Sequence, residues 1–279
     1  MNWSLYDDIF KNAIKEDAPY GDITTMAITN ESKKCTADLI VKEEGIIAGL
    51  GVFKRIFEII GPIEIDFYIK DGESVKEGQV IAKIHGKSDV VLTGERVALN
   101  FLQRISGIAT TTKQYVNEIK ETNAKLLDTR KTTPNLRVFE KYAVKIGGGI
   151  NHRLGLSDGV LIKDNHIAAA GGISNAISLV KAAVPFVRKI EVEVEDLMQL
   201  HEALDAGADI IMLDNMDVET ISEAVHIVNK RALTEASGNI SIENIRTVAK
   251  TGVDYISSGA LTHSSNILDL SLKNLKIED

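Results

Sequence analysis

From Asn123 onward the chain alternates short apolar runs with helical patterns, and this restricts the fold more than any other feature of its 279 residues. The runs are Lys125 to Asp128, Gly159 to Lys163, Ile190 to Val194, Ile210 to Asp214, Leu233 to Glu235 and Tyr255 to Ser257. The last four recur roughly every 20 residues, the length of one strand, one helix and two loops. Strands separated by helices pair in parallel. Six are too few for the standard eight-stranded barrel, which leaves an incomplete barrel or a doubly wound sheet. Nearly every strand ends in chemistry-bearing side chains: Asp128 to Lys131, Lys163 to His166, Glu193, Asp214 and Asn215, Glu235 to Gly238, and Ser257 to Gly259. A barrel builds its site from the ends of many strands, whereas a doubly wound sheet concentrates it at one switch point. The expectation is therefore an α/β fold whose second part is an incomplete, six- or seven-stranded α/β barrel.

The first part reads differently. Ser4 to Glu16 predicts an amphipathic helix with Ser4 as N-cap and Leu5, Ile9, Phe10 and Ile14 on one side, ended by Pro19-Tyr20-Gly21. Lys34 to Leu92 has short β-rich runs and a helix over Val52 to Ile60, an α+β pattern. Thr93 to Thr122 predicts a helix broken at Ser106-Gly107. No apolar stretch approaches the 18 or so residues of a membrane span, and the start lacks a secretory pattern. The single cysteine, Cys35, fits a reducing compartment, so a cytoplasmic location without membrane association is expected.

The net charge of −8 argues against nucleic acid as a partner, but charge is unevenly spread. Lys125 to Lys163 holds eight Lys/Arg against three Asp/Glu, a local balance of +5. Such a segment in an acidic chain suggests a small polyanion in a focused site, because a duplex needs a broad basic face. Within it Arg137, Lys141 and Lys145 are spaced by four and read as one solvated helix face. Arg130 and Lys131 leave a strand together after Thr129, and Asn151-His152-Arg153 and Lys163 add further candidates. Clustered cations repel unless an anion neutralises them. Gly147-Gly148-Gly149 reads as a loop able to adjust over a ligand.

Two small-residue turns, Ser237-Gly238-Asn239 and Ser258-Gly259-Ala260, follow the last two strands, where barrels hold phosphate. Glycine lets backbone N–H groups approach an anion, and a helix expected at Ile242 to Lys250 would add its dipole after the first turn. Glu191, Glu193 and Glu195 share one face of a strand, with Val192 and Val194 packing outside and Glu195 expected in solvent. Glu193, with Asp214 on the next strand, suits sugar hydroxyls or a magnesium ion. Zinc motifs, a Walker A sequence and a dinucleotide fingerprint are absent. Ile69 to Ile81 looks like a lipoyl or biotinyl carrier hairpin but lacks the carrier lysine turn.

Together these segments resemble the quinolinate phosphoribosyltransferase family, also called nicotinate-nucleotide pyrophosphorylase (carboxylating). The resemblance rests on Glu16 to Thr24, Gly94-Glu95-Arg96, Ser106 to Thr110, Asp128 to Pro134, His152-Arg153, Asp164-Asn165-His166, Glu191-Val192-Glu193, Leu213-Asp214-Asn215 and Glu235 to Gly238. It implies an N-terminal α+β sandwich over 1–110, completed by about 265–279, and a barrel over 111–264. It implies that quinolinate and phosphoribosyl pyrophosphate give nicotinate mononucleotide, CO2 and pyrophosphate, with Mg2+, in NAD biosynthesis. By motif, Arg96, Thr129, Arg130, Lys131, His152, Arg153 and Lys163 would bind the two substrates. Glu193 and Asp214 would face the ribose and, through the donor, the metal. Ser237, Gly238, Asn239, Ser258, Gly259 and Ala260 would hold phosphate. Lys131, Lys163, Glu193 and Asp214 would be catalytic. A homodimer or a hexamer built as a trimer of dimers is implied, with sites shared between subunits. Nicotinate phosphoribosyltransferase and a molybdenum-associated paralogue are the alternatives of similar fold.

Overall fold

The structure is a computed structural model that describes residues 1–29 and 32–278. It divides into two compact units, Met1–Thr111 with Ser265–Asp279, and Thr112–Ser264.

The first unit opens with a 3-10 turn, Trp3–Tyr6, and helix α1 (Asp7–Asp17). The helix starts later than Ser4 because Asn2, not Ser4, is the capping residue: its side chain accepts the Ser4 N–H at 3.2 Å and holds the tighter turn. Leu5 is consequently exposed, and Phe10 is the buried member of the expected stripe. Helix α2 (Ile23–Ile28) follows, capped by Asp22. Then come β1 (Lys34–Val41), β2 (Gly45–Ile46), α3 (Leu50–Ile60), β3 (Ile63–Phe67), β4 (Ser74–Val75), β5 (Val80–Lys87) and α4 (Ser88–Ile119). In β1, Cys35, Ala37, Leu39 and Val41 alternate into the core, as period two requires. The antiparallel sheet runs in the order C-terminal strand Leu270–Ile277, β1, β5, β3. The hairpin-like segment 69–81 thus belongs to this unit's framework, with β4 paired to β2 and β5 inside the sheet.

Helix α4 is unbroken for 32 residues, against the break expected at Ser106-Gly107. Both residues serve packing. A Cβ at Gly107 would lie 2.0 Å from the Asn266 carbonyl oxygen, so the glycine admits the returning C-terminal backbone. Ser106 Oγ is buried and bonds both the N–H and the C=O of Ala48, at 3.0 and 3.1 Å. Gln103 Nε2 donates to the Leu270 carbonyl at 2.8 Å and ties the tail to the same unit.

The second unit contains β6 (Lys125–Leu127), α5 (Arg137–Ile146), β7 (Val160–Ile162), α6 (Asp164–Ala170), α7 (Ile173–Ala183), β8 (Ile190–Val194), α8 (Leu197–Asp205), β9 (Ile210–Asp214), α9 (Val218–Val228), β10 (Leu233–Ser237), α10 (Ile245–Ala249), β11 (Tyr255–Ser257) and α11 (Ala260–His263). All six strands are parallel, in the order β6, β11, β10, β9, β8, β7. This is chain order with the first strand placed beside the last. It contains no reversal point, so it is barrel topology rather than a doubly wound sheet. The sheet remains open between β6 and β7, and Ile150 bridges to Leu127 on the β6 edge. Val192, Val194, Ile211 and Leu213 are fully buried on the face opposite Glu193, Met212 and Asp214, which line the interior cavity. Burying such a side chain contributes about 1.5–3 kcal/mol, and Leu213→Ala would cost about 2–5 kcal/mol with its cavity.

Candidate active site

At the C-terminal ends of the barrel strands lies a cavity of about 610 Å³, within the 300–1,000 Å³ range of small-ligand sites. Every strand contributes to it.

The β6 end supplies Asp128, fully buried, and then Thr129, Arg130 and Lys131 on the cavity wall. Asp128 is a structural anchor. It pairs with Lys141 Nζ and accepts Asn151 Nδ2 at 2.6 Å and the His152 N–H at 2.8 Å. Lys141 also donates to the His152 carbonyl at 3.0 Å. The segment after α5 is thereby laid along β6, in the open side of the sheet, and presents His152 and Arg153 to the cavity. The α5 cations are accordingly not one solvated face. Lys141 is only 3% exposed, and Arg137 donates to Thr132 Oγ1 at 2.9 Å and to the Leu154 carbonyl at 3.1 Å; Lys145 alone is exposed. Helical spacing could not foresee a carboxylate arriving from a preceding strand. Burial pushes the Asp128 carboxyl up and the Lys141 ammonium down, each opposed by the other's charge. The pair therefore recovers less than its desolvation costs, and what it provides is position.

The glycine run 147–149 is also not an adjustable loop. Gly147 and Gly149 N–H groups bond the Ala143 and Val144 carbonyls at 2.9 Å, closing α5. A Cβ at Gly149 would stand 2.7 Å from Val144 Cγ1.

The β7 end supplies Lys163, whose Nζ pairs with Glu193 at the end of β8. Asp214 ends β9, and its Oδ2 accepts the Asn215 amide at 2.7 Å. Glu195 lies beyond β8 and is exposed. Burial, with Arg130's charge second, makes Arg153 easier to deprotonate than usual, and its Nη1 donates to the Gly159 carbonyl at 3.0 Å.

The β10 and β11 turns close the cavity. Gly238 has φ +94, and a Cβ there would lie 2.2 Å from Asn215 Oδ1 and 2.8 Å from the Asn215 backbone nitrogen. Asn239 takes the left-handed conformation with φ 51, which asparagine tolerates, and its amide donates to Asn215 Oδ1 at 3.1 Å. The helix expected from Ile242 begins only at Ile245. Asn244 intervenes, accepting the Ser241 N–H and donating to the Asn239 carbonyl, both at 2.9 Å. The second turn does lead into a helix, α11, capped by Gly259. Ser258 Oγ donates to the Ile240 carbonyl at 2.9 Å, and a Cβ at Gly259 would press on Lys131 Cδ at 3.0 Å.

One layer deeper, His152 Nε2 lies 3.0 Å from Glu191 Oε2 and 3.6 Å from Glu235 Oε2. The Arg153 N–H donates to His152 Nδ1 at 2.7 Å, which places the ring's hydrogen on Nε2. Burial disfavours a charged ring; the Glu191 hydrogen bond and charge outweigh it and push His152 upward. Glu235 is 2% exposed, and burial beside Glu191 pushes it up to about 8. Glu235, Met212, Leu161, Ser257 and His263 also line the cavity. Strand-end polarity marks Glu235 and Ser257 in the sequence, but nothing local marks Met212 or Leu161.

Of the fifteen residues to which the resemblance gives a binding or catalytic role, fourteen line this one cavity: Thr129, Arg130, Lys131, His152, Arg153, Lys163, Glu193, Asp214, Ser237, Gly238, Asn239, Ser258, Gly259 and Ala260. Arg96 does not. It is exposed on α4 in the first unit.

Residues 22–106 match the family model described as quinolinate phosphoribosyl transferase, N-terminal domain, and residues 108–273 match its C-terminal domain counterpart. The chain belongs to the quinolinate phosphoribosyltransferase family. It is 44% identical over 273 residues to a probable nicotinate-nucleotide pyrophosphorylase [carboxylating] of Bacillus subtilis, covering 98% of this chain and 94% of the relative. It is 42% identical over 286 residues to quinolinate phosphoribosyltransferase [decarboxylating] 2b, mitochondrial, of Nicotiana tabacum, covering 95% and 81%. Among solved structures it is similar to NadC from Streptococcus pyogenes, with a TM-score of 0.96 and 45% identity over 100% of this chain and 99% of that one. Among the described residues no helix is long and apolar enough to cross a membrane.

Proposed function

We propose that this chain is a quinolinate phosphoribosyltransferase (decarboxylating), joining quinolinate to phosphoribosyl pyrophosphate and releasing pyrophosphate and CO2 to give nicotinate mononucleotide for NAD biosynthesis. The observation that carries this reading is the convergence of Arg130, Lys131, Arg153 and Lys163 on one cavity that Glu193 and Asp214 also line. Four cations exceed the needs of a monocarboxylate, which favours quinolinate over nicotinate as the acceptor. Arginine forks suit the two carboxylates of one substrate and the pyrophosphate of the other. Ser237, Gly238, Asn239, Ser258, Gly259 and Ala260 form the cradle for the donor's 5-phosphate, a turn whose course depends on Gly238 because a Cβ there would collide with Asn215.

In the reaction, departure of pyrophosphate leaves positive charge at the ribose C1. Glu193 and Asp214, on adjacent strands, stabilise that charge electrostatically. Lys131 and Lys163 stabilise the departing anion. Lys163, paired with Glu193 and partly exposed, must turn toward the anion, and this frees Glu193 for the ribose. The pyridine nitrogen attacks C1, and the ring becomes cationic. That ring withdraws the electron pair of the 2-carboxylate bond, so CO2 leaves. The oxygen donors Glu193 and Asp214 fit a hard cation arriving with the donor, and Mg2+ there would supply further charge neutralisation to the pyrophosphate.

Arg96 completes the quinolinate site from a second copy of the chain, in a homodimer or a larger assembly of dimers with two equivalent sites per pair. The function is tested by CO2 release from carboxyl-labelled quinolinate with phosphoribosyl pyrophosphate. Labelled CO2 appearing in step with nicotinate mononucleotide is expected. Turnover of nicotinate, with quinolinate inert, would overturn the assignment.

A further inference from the structure

Resting on that reading, the reaction carries a requirement that the cationic and carboxylate rim does not meet. When CO2 departs, the carbon–carbon bond breaks and its electron pair stays on ring carbon 2, beside the cationic nitrogen. That carbon must gain one proton to become nicotinate. The cavity therefore needs an acid as well as anion binders.

We infer that Glu235, in the floor of the cavity, is the general acid that delivers a proton to carbon 2 as CO2 leaves, so that breaking the carbon–carbon bond and forming the carbon–hydrogen bond are one step. The geometry identifies it by elimination. His152 has one ring hydrogen, since its Nδ1 accepts the Arg153 N–H at 2.7 Å, and that hydrogen goes to Glu191 at 3.0 Å. Glu235 Oε2 stands farther off, at 3.6 Å. The imidazole nitrogen and one oxygen of each carboxylate fall within 4.8 Å of one another. One hydrogen cannot neutralise two buried carboxylates, so the more buried of them, Glu235, retains its own. Its second oxygen, Oε1, is buried without a hydrogen bond of normal geometry, on a residue that lines the cavity. The other candidates are committed: Lys163, with Arg130, Lys131 and Arg153, to holding anions, and His263 Nδ1 to Ser264 Oγ at 2.6 Å.

The groups facing Glu235 are His152 from the segment after α5, Glu191 from β8 and Ser257 from β11. Burial and the charge of Glu191 push its carboxyl up to about 8, so it holds a proton at neutral pH, near the operating pH where a general acid works best. After donation the carboxylate sits beside Glu191, and it regains a proton from solvent once product leaves.

The test is a single-turnover experiment with enzyme in excess over quinolinate labelled in its 2-carboxyl group, following pyrophosphate and CO2 separately. Glu235→Gln should release pyrophosphate within threefold of wild type, slow CO2 by at least 30-fold, and accumulate the mononucleotide that still bears both carboxylates. Equal slowing of both products, or of neither, would overturn the inference. A wild-type chain releasing neither product would instead defeat the functional reading beneath it. Should the variant not fold, the wild type decides: CO2 release must fall as pH rises past about 8 while pyrophosphate release does not. A CO2 step that stays level across that range counts against Glu235.

Discussion

Replacing Asp128 by Asn should separate what the buried ion pair does for stability from what it does for the site. Asp128 is fully buried and Lys141 is 3% exposed. The substitution removes the carboxylate that pairs with Lys141 and leaves its ammonium with the His152 carbonyl at 3.0 Å. Removing one member of a buried pair typically costs about 3–5 kcal/mol. The second unit spans Thr112–Ser264, and a unit of that size loses about 2–4 °C of Tm per kcal/mol, so a fall of roughly 6–20 °C is expected. Asparagine also offers one acceptor oxygen where aspartate uses two, Oδ1 for the His152 N–H and Oδ2 for Asn151. His152 and Arg153 then lose their placement, and a displacement of about 1 Å costs on the order of 100-fold in rate. Adding Lys141→Met removes the stranded charge. The double variant should recover most of the stability while kcat/KM stays low. Calorimetry with steady-state kinetics decides the matter. A single variant that keeps its Tm within 2 °C and its kcat/KM within threefold, or a double variant no more stable than the single, would refute the reasoning.

Arg130→Ala and Lys131→Ala should each remove about 2–4 kcal/mol of transition-state stabilisation, roughly 30- to 900-fold in kcat/KM, with folding unchanged by circular dichroism; normal kinetics in both would remove them from the site. Gly238→Ala places a Cβ against Asn215 at a left-handed φ, so calorimetry should find phosphoribosyl pyrophosphate bound at least tenfold more weakly by a folded variant. Glu235 has a folded pKa, about 8, above its ordinary 4.5. The folded state then binds more protons than the unfolded one between these values, so its contribution to stability falls as pH rises from 4.5 to 8. Glu235→Gln should therefore gain on wild type in Tm across that window, and a constant difference would contradict the assignment. Finally, inactive Arg96→Ala and Lys163→Ala chains, mixed under conditions that exchange subunits, should regain activity from one intact site in each mixed pair; confirmed exchange without activity would place Arg96 outside a shared site.

The barrel strands and most of the cavity were legible along the chain. Local periodicity reports which residues face the interior, and a parallel barrel collects its strand ends at one mouth whatever packs outside. Glu193, Asp214 and the Gly238 and Gly259 turns could be placed for that reason, each with respect to its own strand. Tertiary structure decided the remainder. Gly107 reads locally as a helix breaker, yet it lies in an unbroken helix because a backbone 159 positions later, at Asn266, needs the room. Gly147 to Gly149 looks flexible and is instead a hydrogen-bonded helix end. Lys141 has the spacing of a surface cation, and only the return of the chain along β6 sets it on Asp128 and delivers His152 and Arg153 into the open side of the barrel. Glu235 has its unusual proton affinity because folding buries it and sets Glu191, from 44 positions away, beside it. Spacing encodes the direction a side chain takes from its own backbone. The charge, depth and partner that give the side chain its chemistry come from residues distant in sequence, and folding alone brings them together.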